Sequence, residues 1–552
     1  MSIYFGNDTV NDLYVGLTPV SKGYVGTHLF YNGDSTIIDF TYEKYILNTR
    51  FGTLYNTKEV PVKSAILTGQ TLVNMIPQDE QHTDGISNVN LTEGRLTWST
   101  QSDWLKLYFV VNGKPNTEYI IKYQSINENV GIFCRPETTD PHSGWVETVS
   151  ASNQIITTYD VGTFVVSLEN AIASSDLWVQ DFMIIEYQEG MENWDIPYFE
   201  GMGSVKNPVV TTTGKNIVGD LEIGSLDANG NNNAITLYTR SSFILLKKDT
   251  TYTFSLNGVK RSFHLYLYDL NKNFKVKVGM ANEYTPEVDC YIRIFQMDDL
   301  DKALYQVEKG TIATPYEPYK SNILTVNEEV ELRGIGGVQN TLDLMTGEVT
   351  ERIEEIVLDG SESWIRQHFI SGYTMFRYIV PNLPTDTSIR KGRMLCDKFN
   401  VENYINTQAQ TREFITIRNG TTGQLFLNVS NEKANDVTAL KEWLSQNPIT
   451  VQYQLAKNVV KTVDLSVVDQ DGNNTKLSSF EDITHVTVTS EGILPDVELE
   501  VATKNEEVLN TMSLRMDDIS TTQANLNETV NTQSENVDAT MIATTEIYEG
   551  LL

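Results

Sequence analysis

Cysteine is scarce in this chain. Its 552 residues include 3, Cys134, Cys290 and Cys396. They are far apart and odd in number, so no disulfide framework and no Cys-x-x-Cys metal spacing can be written, and they read as buried free thiols. The histidines, His28, His82, His142, His264, His368 and His485, are all remote from one another, which excludes a two-histidine metal site on a helix. No Gly-x-Ser-x-Gly elbow, P-loop or Gly-x-Gly-x-x-Gly loop is present. No apolar run approaches the roughly 18 residues of a membrane helix. The opening MSIYFGNDTVNDLY lacks the basic-then-apolar order of a signal peptide, so the expectation is a soluble product of a cytoplasm. Basic residues are also in deficit, 41 against 73 acidic, for a net charge of −32. Such a chain repels phosphate backbones and anionic lipid, which argues against nucleic acid and membrane as partners. The acidic excess itself reads as solubility.

These absences leave no catalytic, cofactor or metal residue to name. With so many carboxylates, chance acidic pairs are unavoidable, and no glycosidase pair can be argued. Two loops, Asp227 to Asn233 and Asp469 to Asn474, alternate oxygen ligands around a glycine as calcium loops do. Neither has the closing bidentate acid, and both read as tight turns.

What is present is β-rich. A chain of this length predicts about three to five domains. Its Thr, Asn, Val, Ile, Tyr and Gly content points to strands and turns. Two stretches end alike, EYQEGMENWDIPYFEG from Glu186 and YQVEKGTIATPYEPYKSN from Tyr305, each running from a tyrosine through an acidic-glycine turn to a Pro-aromatic pair. Similar openings precede them, GQTLVN at Gly69 and GKNIVG at Gly214. One β-domain used twice in tandem is the expectation, with strands including 106–111, 119–123, 163–166 and 182–187 in the first copy and 235–237, 252–256, 262–268 and 291–295 in the second. The last of these, YIRIFQ, alternates strictly. Further on, NDVTALKEWLSQNP predicts a helix, with Asn435 or Asp436 as cap and Asn447-Pro448 as stop.

The segments EKGTIATPYEPYKSNIL, LRGIGGVQNTLDLMTGEVTERI and ALKEWLSQNPITVQYQLAKNVVKTVDL, with LYVGLTPVSKGYVGTHLFY near the start, resemble tail and baseplate proteins of bacteriophages that infect Gram-positive bacteria. The resemblance implies sandwiches similar to carbohydrate-binding modules, and a virion location. The resulting expectation is mainly β: tandem jelly-roll-like β-sandwich domains, an N-terminal β-hairpin attachment segment and a C-terminal α-helical coiled coil. The segments are an attachment hairpin (1–34), a connecting arm (35–67), a carbohydrate-binding-module-like sandwich (68–205), its repeat (206–320), a β-rich domain with one helix (321–500) and a C-terminal helix (501–552). In the hairpin, LYVG at Leu13 is echoed by GYVG at Gly23, two short strands about a Pro-containing turn.

The expected function is a non-enzymatic structural part of a tail tip or baseplate that attaches to other tail proteins and presents or connects host-recognition modules. The alternatives are a receptor-binding protein that grips host cell-wall polysaccharide with its sandwiches and, less favoured for want of a site, a glycan-active enzyme. For sugar contact the candidates are Trp98, Trp104 and Trp145, since sugar rings stack their C–H faces on aromatic planes. For assembly the candidate is a 3.5-residue seam of Leu509, Met512, Met516, Ile519, Leu526, Val530, Val537 and Ile547. Such a seam hides little within one chain, so a homo-oligomer is expected, and the resemblance to phage tail proteins implies a trimer. Leu526→Asp places a charge in its middle and should cost on the order of 3 kcal/mol per buried charge. Sedimentation of wild type and variant at micromolar concentration checks this. An unchanged monomer in both would remove the seam.

Overall fold

The first long strand of the described residues lies beside the last one. Phe40–Leu47 pairs antiparallel with Asp496–Lys504, Phe40 opposite Lys504 and Leu47 opposite Val497. The structure, a computed structural model, describes residues 40–504 except 48–49, 77–80, 83–85, 137–146, 159–162, 190, 192–195, 271, 298–303, 381–392, 403–408 and 419–422, together with four short strands between 14 and 32. It is mainly β, with one helix among the described residues. The seam residues 509–547 lie outside them, so the coiled-coil expectation meets no observation here.

One large sheet gathers strands from four remote stretches of sequence. Reading across it, Ile449–Thr462, Glu348–Leu358, Thr341–Asp343, Ser64–Thr68, Asp496–Lys504, Phe51–Thr57, Asp482–Thr489, Val209–Thr213, Ser321–Val326 and Leu465–Asp469 are successive neighbours. It shares a core with a three-stranded sheet of Thr71–Val73, Met202–Lys206 and Glu331–Leu332: Leu72, Val205 and Leu332 bury with Leu67, Val210, Leu324, Val486 and Leu499. Strands such as Ser64–Thr68 and Val209–Thr213 alternate buried and half-buried positions, the period-two signature of a sheet with one face inward. This assembly is the hub. Three modules are inserted into it, at 74–200, 214–320 and 359–448.

The hub redraws the segments expected from sequence. The expected connecting arm, 35–67, instead supplies strands of the hub: Phe40–Leu47, Phe51–Thr57 and Ser64–Thr68. Residues 321–358 and 449–504 belong to it as well, while 359–448 form a module of their own. The reason is non-local pairing: Phe51–Thr57 pairs with Asp482–Thr489, and Ser64–Thr68 with Asp496–Lys504 and Thr341–Asp343, and nothing in a short window of sequence encodes these partners. Among the described residues the LYVG and GYVG segments do not pair with each other. Tyr14-Val15 pairs with Thr18-Pro19, and Lys22–Val25 with His28–Asn32.

In the third module, Ile365–Ile370, Tyr373–Ile379, Gln424–Ser430 and Phe414–Arg418 form a sheet that shares its core with the outer ends of Glu348–Leu358 and Ile449–Thr462. Helix Val437–Gln446 seals that core through Leu440 and Leu444. Asp436 caps it, its carboxylate accepting the Ala439 N–H at 2.9 Å. Asn447 ends it by donating back to the Trp443 and Leu444 carbonyls.

The first and second modules are wired alike. In the first, Glu147–Val149, Val130–Pro136, Thr163–Asn170 and Lys106–Asn112 are successive strands of one sheet, and Gln154–Thr157, Glu118–Lys122 and Met183–Glu186 of the other. In the second, Phe274–Ala281, Phe263–Tyr268 and Cys290–Met297, followed by the short strands Tyr238–Ser241 and Ile244–Leu246, form the first sheet. Glu283–Tyr284, Tyr252–Leu256 and Tyr305–Lys309 form the second. Chain order and pairing correspond for these strands, and the first module adds a further sheet of Ile86–Thr92, Arg95–Thr100, Leu177–Gln180 and Ser125–Ile126. Finer details repeat: the Lys114 N–H donates to the Tyr119 hydroxyl at 2.8 Å, and the Lys247 N–H to the Tyr252 hydroxyl at 3.0 Å.

A buried asparagine closes each copy. Asn74 Oδ1 accepts the N–H groups of Ile76 and Ile184, and its Nδ2 donates to the Phe199 carbonyl. Asn216 Oδ1 accepts from Val218 and Val307, and its Nδ2 donates to the carbonyls of Glu317 and Tyr305. Ile184 and Val307 sit at matching places on the last strand, and Phe199 and Glu317 follow Pro197-Tyr198 and Pro315-Tyr316. The asparagine thus pins the Pro-Tyr exit to the module's entry. This fixes the true register of the repeat. Gly69 and Gly214 are not equivalent, because they stand at different distances from their asparagines. Tyr187 and Tyr305 are not equivalent either, since Tyr305 opens its strand and Tyr187 follows its own. Residues 235–237, expected as strand, precede one: the paired segment starts at Tyr238.

Asn216→Ala leaves the Val218 and Val307 N–H groups without that acceptor inside the protein. Each buried orphan costs about 1–3 kcal/mol. Hydrogen exchange of the whole chain should accelerate in peptides covering 216–220 and 304–310 and stay unchanged in the first module. Unchanged exchange in both would show that the asparagine holds nothing.

Candidate binding face

The three tryptophans do not form one site. Trp98 lies on Arg95–Thr100, on the same side of the strand as Leu96 and Thr100, and is 1% exposed in the first module's core. Burial removes it as a sugar contact. Trp104 is 67% exposed. It sits at a turn with φ of 59°, its N–H donating to the Asn170 carbonyl. Asn170, fully buried, ties down that turn through the Thr100 hydroxyl and the carbonyls of Ser102 and Ile172. Trp145 lies outside the described residues.

The two calcium-like loops are turns. Asp227 Oδ1 accepts the N–H groups of Asn229 and Asn231, and Asp469 Oδ1 those of Asp471 and Asn473. Asp269 closes a third such turn by accepting from Asn273. These hydrogen bonds hold the Asp227 and Asp469 carboxyls below the usual range. Among the described residues no group of three or more His, Cys, Asp or Glu is placed to hold a metal. All three cysteines are buried, and burial pushes the Cys290 thiol up to about 11.

Among the described residues the densest concentration of aromatic and cationic side chains is elsewhere, on the outer face of the second module's larger sheet. Strict alternation builds it. On Cys290–Met297, Cys290, Ile292 and Ile294 enter the core, which turns Tyr291, Arg293 and Phe295 outward. On Phe263–Tyr268, Phe263 and Leu265 enter that core and His264, Tyr266 and Tyr268 lie on the opposite face, where Tyr266, Tyr268 and Phe295 are themselves buried with Leu226 in a second small core. His264 stacks on Phe295, centroids 4.5 Å apart and planes at 18°. Tyr238 meets Phe295 edge-on at 5.5 Å, and Phe243 meets Tyr268 at 4.9 Å and Tyr291 at 5.9 Å. Edge-on contacts of this kind are the favoured geometry of aromatic pairs.

Cations lie over these rings. Lys272 is 5.4 Å from the centre of Phe243 and 5.5 Å from Tyr291, and Lys277 is 5.7 Å from Tyr266. Arg240 and Arg293, both buried, share one Glu222 oxygen at 2.9 Å each. Arg240 also reaches the Ser225 and Asn233 carbonyls, and Arg293 reaches Asn232 Oδ1. The arch from Glu222 to Asn233 is thereby pinned across part of the face. Hydrogen bonding from Arg240 holds the Glu222 carboxyl below its ordinary value. Burial first, and Lys277 second, lower the His264 pKa. Among the described residues neither Lys272 nor Lys277 has an ion-pair partner.

The matching face of the first module has another chemistry. There Arg135 is bound to Glu169, which also takes Lys106 at 3.5 Å and the Ser167 hydroxyl at 2.9 Å. Sequence reading passed over the aromatic face because it holds no tryptophan. The signals were the alternation of YIRIFQ and the local charge: residues 214–320 contain 13 Lys and Arg against 13 Asp and Glu.

No family model matches this chain, and no curated protein matches it significantly. Among solved structures, one similar chain is the adhesin domain of Epf from Streptococcus pyogenes, 11% identical and covering 52% of this chain and 98% of that one, with a TM-score of 0.09. Another is the infectious bursal disease virus Gx strain, at 10% identity, 86% and 84% coverage and a TM-score of 0.09. At such TM-scores neither carries an argument about fold or function.

The placements of Trp98 and Trp104 separate core from surface. Trp98→Ala should cost about 3–5 kcal/mol, and Trp104→Ala almost nothing. Urea unfolding followed by tryptophan fluorescence and by far-ultraviolet circular dichroism checks both. A large loss for Trp104→Ala would show that its ring supports the turn.

Proposed function

We propose that this protein is a non-enzymatic structural component of a bacteriophage tail tip or baseplate, which attaches to neighbouring tail proteins and holds host-recognition modules in place. One observation carries the reading: three modules are inserted into a single hub, and the segments flanking the hub depart from paired residues, Phe40 and Lys504. A hub that gathers both ends of the stretch 40–504 in one place suits a part that is anchored at one point and displays modules from another. The resemblance of the EKGTIATPYEPY and LMTGEVTERI segments to phage tail proteins supports the same reading. In it the N-terminal segment is the anchor, jelly-roll-like sandwiches are the displayed modules, and the seam after Lys504 assembles copies, with a trimer favoured.

A second reading, direct binding of host cell-wall polysaccharide, is favoured by the exposed Trp104 and by the aromatic face of the second module. The two readings are compatible, because an anchored part can also grip.

Deleting residues 1–34 should leave the melting of the hub and modules unchanged yet keep the protein out of assembled particles. Melting of the purified variant and immunoblotting of purified virions check this. A truncated protein found in particles at normal abundance would overturn the anchoring role.

A further inference from the structure

We propose that the outer face of the second module binds an anionic polymer that carries sugar rings. The inference rests on the second reading above, which it narrows to one face and one class of polymer, and does not depend on the assembly role. Half-buried rings of Phe243, Tyr291, Tyr238 and His264 give flat apolar surfaces on which the C–H faces of a sugar can lie. Lys272 and Lys277 stand exposed beside them, over rings. A cation over an aromatic plane that pairs with no carboxylate among the described residues remains available for an anionic group. The surface is also held in shape before any ligand arrives, because Arg240, Arg293 and Glu222 lock the arch beside it. Preorganised rings lose little freedom on binding.

Charge selects the place. The chain as a whole carries −32, yet residues 214–320 balance 13 cations with 13 anions. A polyanion is repelled by the acidic remainder of the protein and meets no such barrier at this module. The first module's matching face cannot do the same work, since its Arg135 and Lys106 are already engaged by Glu169. A neutral glycan would use the rings and leave the lysines idle. A nucleic acid would offer both rings and phosphates, and it is therefore the alternative the test must separate.

The test uses the full chain and a defined probe, poly(ribitol phosphate) bearing N-acetylglucosamine, with neutral dextran, inorganic polyphosphate and an oligothymidylate for comparison. The double variant Lys272→Glu, Lys277→Glu should weaken binding of the sugar-bearing polymer about tenfold or more, and wild-type binding should fall with added salt. The control variant Lys247→Glu, Lys248→Glu changes net charge equally at exposed lysines before Tyr252 and should bind as wild type. Near-ultraviolet circular dichroism confirms that each variant is folded. Absence of wild-type binding overturns the proposal. So does equal loss in both double variants, which would mean bulk charge alone. Equal binding of polyphosphate or oligothymidylate would remove the saccharide.

Discussion

The structure depends on pairing between segments at opposite ends of the described chain. Phe40–Leu47 and Ser64–Thr68 flank Asp496–Lys504, and Phe51–Thr57 pairs with Asp482–Thr489. Buried polar contacts fix that register: Thr57 donates to the Phe480 carbonyl and lies 3.0 Å from the Thr484 hydroxyl. Loop-closure entropy grows only with the logarithm of loop length, so whole modules can sit between paired strands at modest cost. The kinetic consequence is larger. Each module has its own core and local pairings, whereas the hub cannot close until the last strand has been made.

The two wired-alike modules show how one frame is put to two uses. On the first, Ile120, Met183 and Ile185 point away from the module's own core and bury in the hub core with Met191. On the second, the corresponding places hold Thr253, Gln306 and Glu308, also buried. Here the polar side chains bind the exit segment instead. Glu308 accepts the Thr314 N–H at 2.9 Å and its hydroxyl at 2.6 Å, and Gln306 Oε1 accepts the Glu317 N–H at 2.8 Å. The EKGTIATPYE motif is therefore a strap. Its glutamate, threonine and proline hold the chain across a sheet face, with Gly310 at a φ of 120° where the strap turns. The first module uses that face to dock. The second covers it with its own strap and leaves the opposite, aromatic face partly open.

Several features were legible from the sequence because they are local. The helix at Val437–Gln446 has its cap, its apolar spacing and its stop within a dozen or so residues. The alternation of YIRIFQ places Tyr291, Arg293 and Phe295 on one side and isoleucines on the other. The repeated Pro-Tyr endings mark places that each module does hold in common. Features that failed to show were those in which the signal is shared between distant segments. Trp98 and Trp104 are close in sequence and similar in composition of surroundings, yet one fills a core and the other stands in solvent, because strand phase and the turn at Ser102-Asp103 set their directions. The Asn74 and Asn216 latches were invisible for the same reason: an asparagine carries no mark of the carbonyl it will reach across the module.

By itself the sequence determined the β character, the presence of a repeat, the helix at Val437–Gln446 and the charge, since each follows from residue type and short-range spacing. Only the tertiary structure decided that residues 40–68 and 449–504 belong to one hub, and that the second module turns an aromatic, cation-topped face outward where the first has an ionic one. Strand neighbours in a sheet are chosen by hydrogen bonding and core burial across hundreds of residues. No local pattern records that choice.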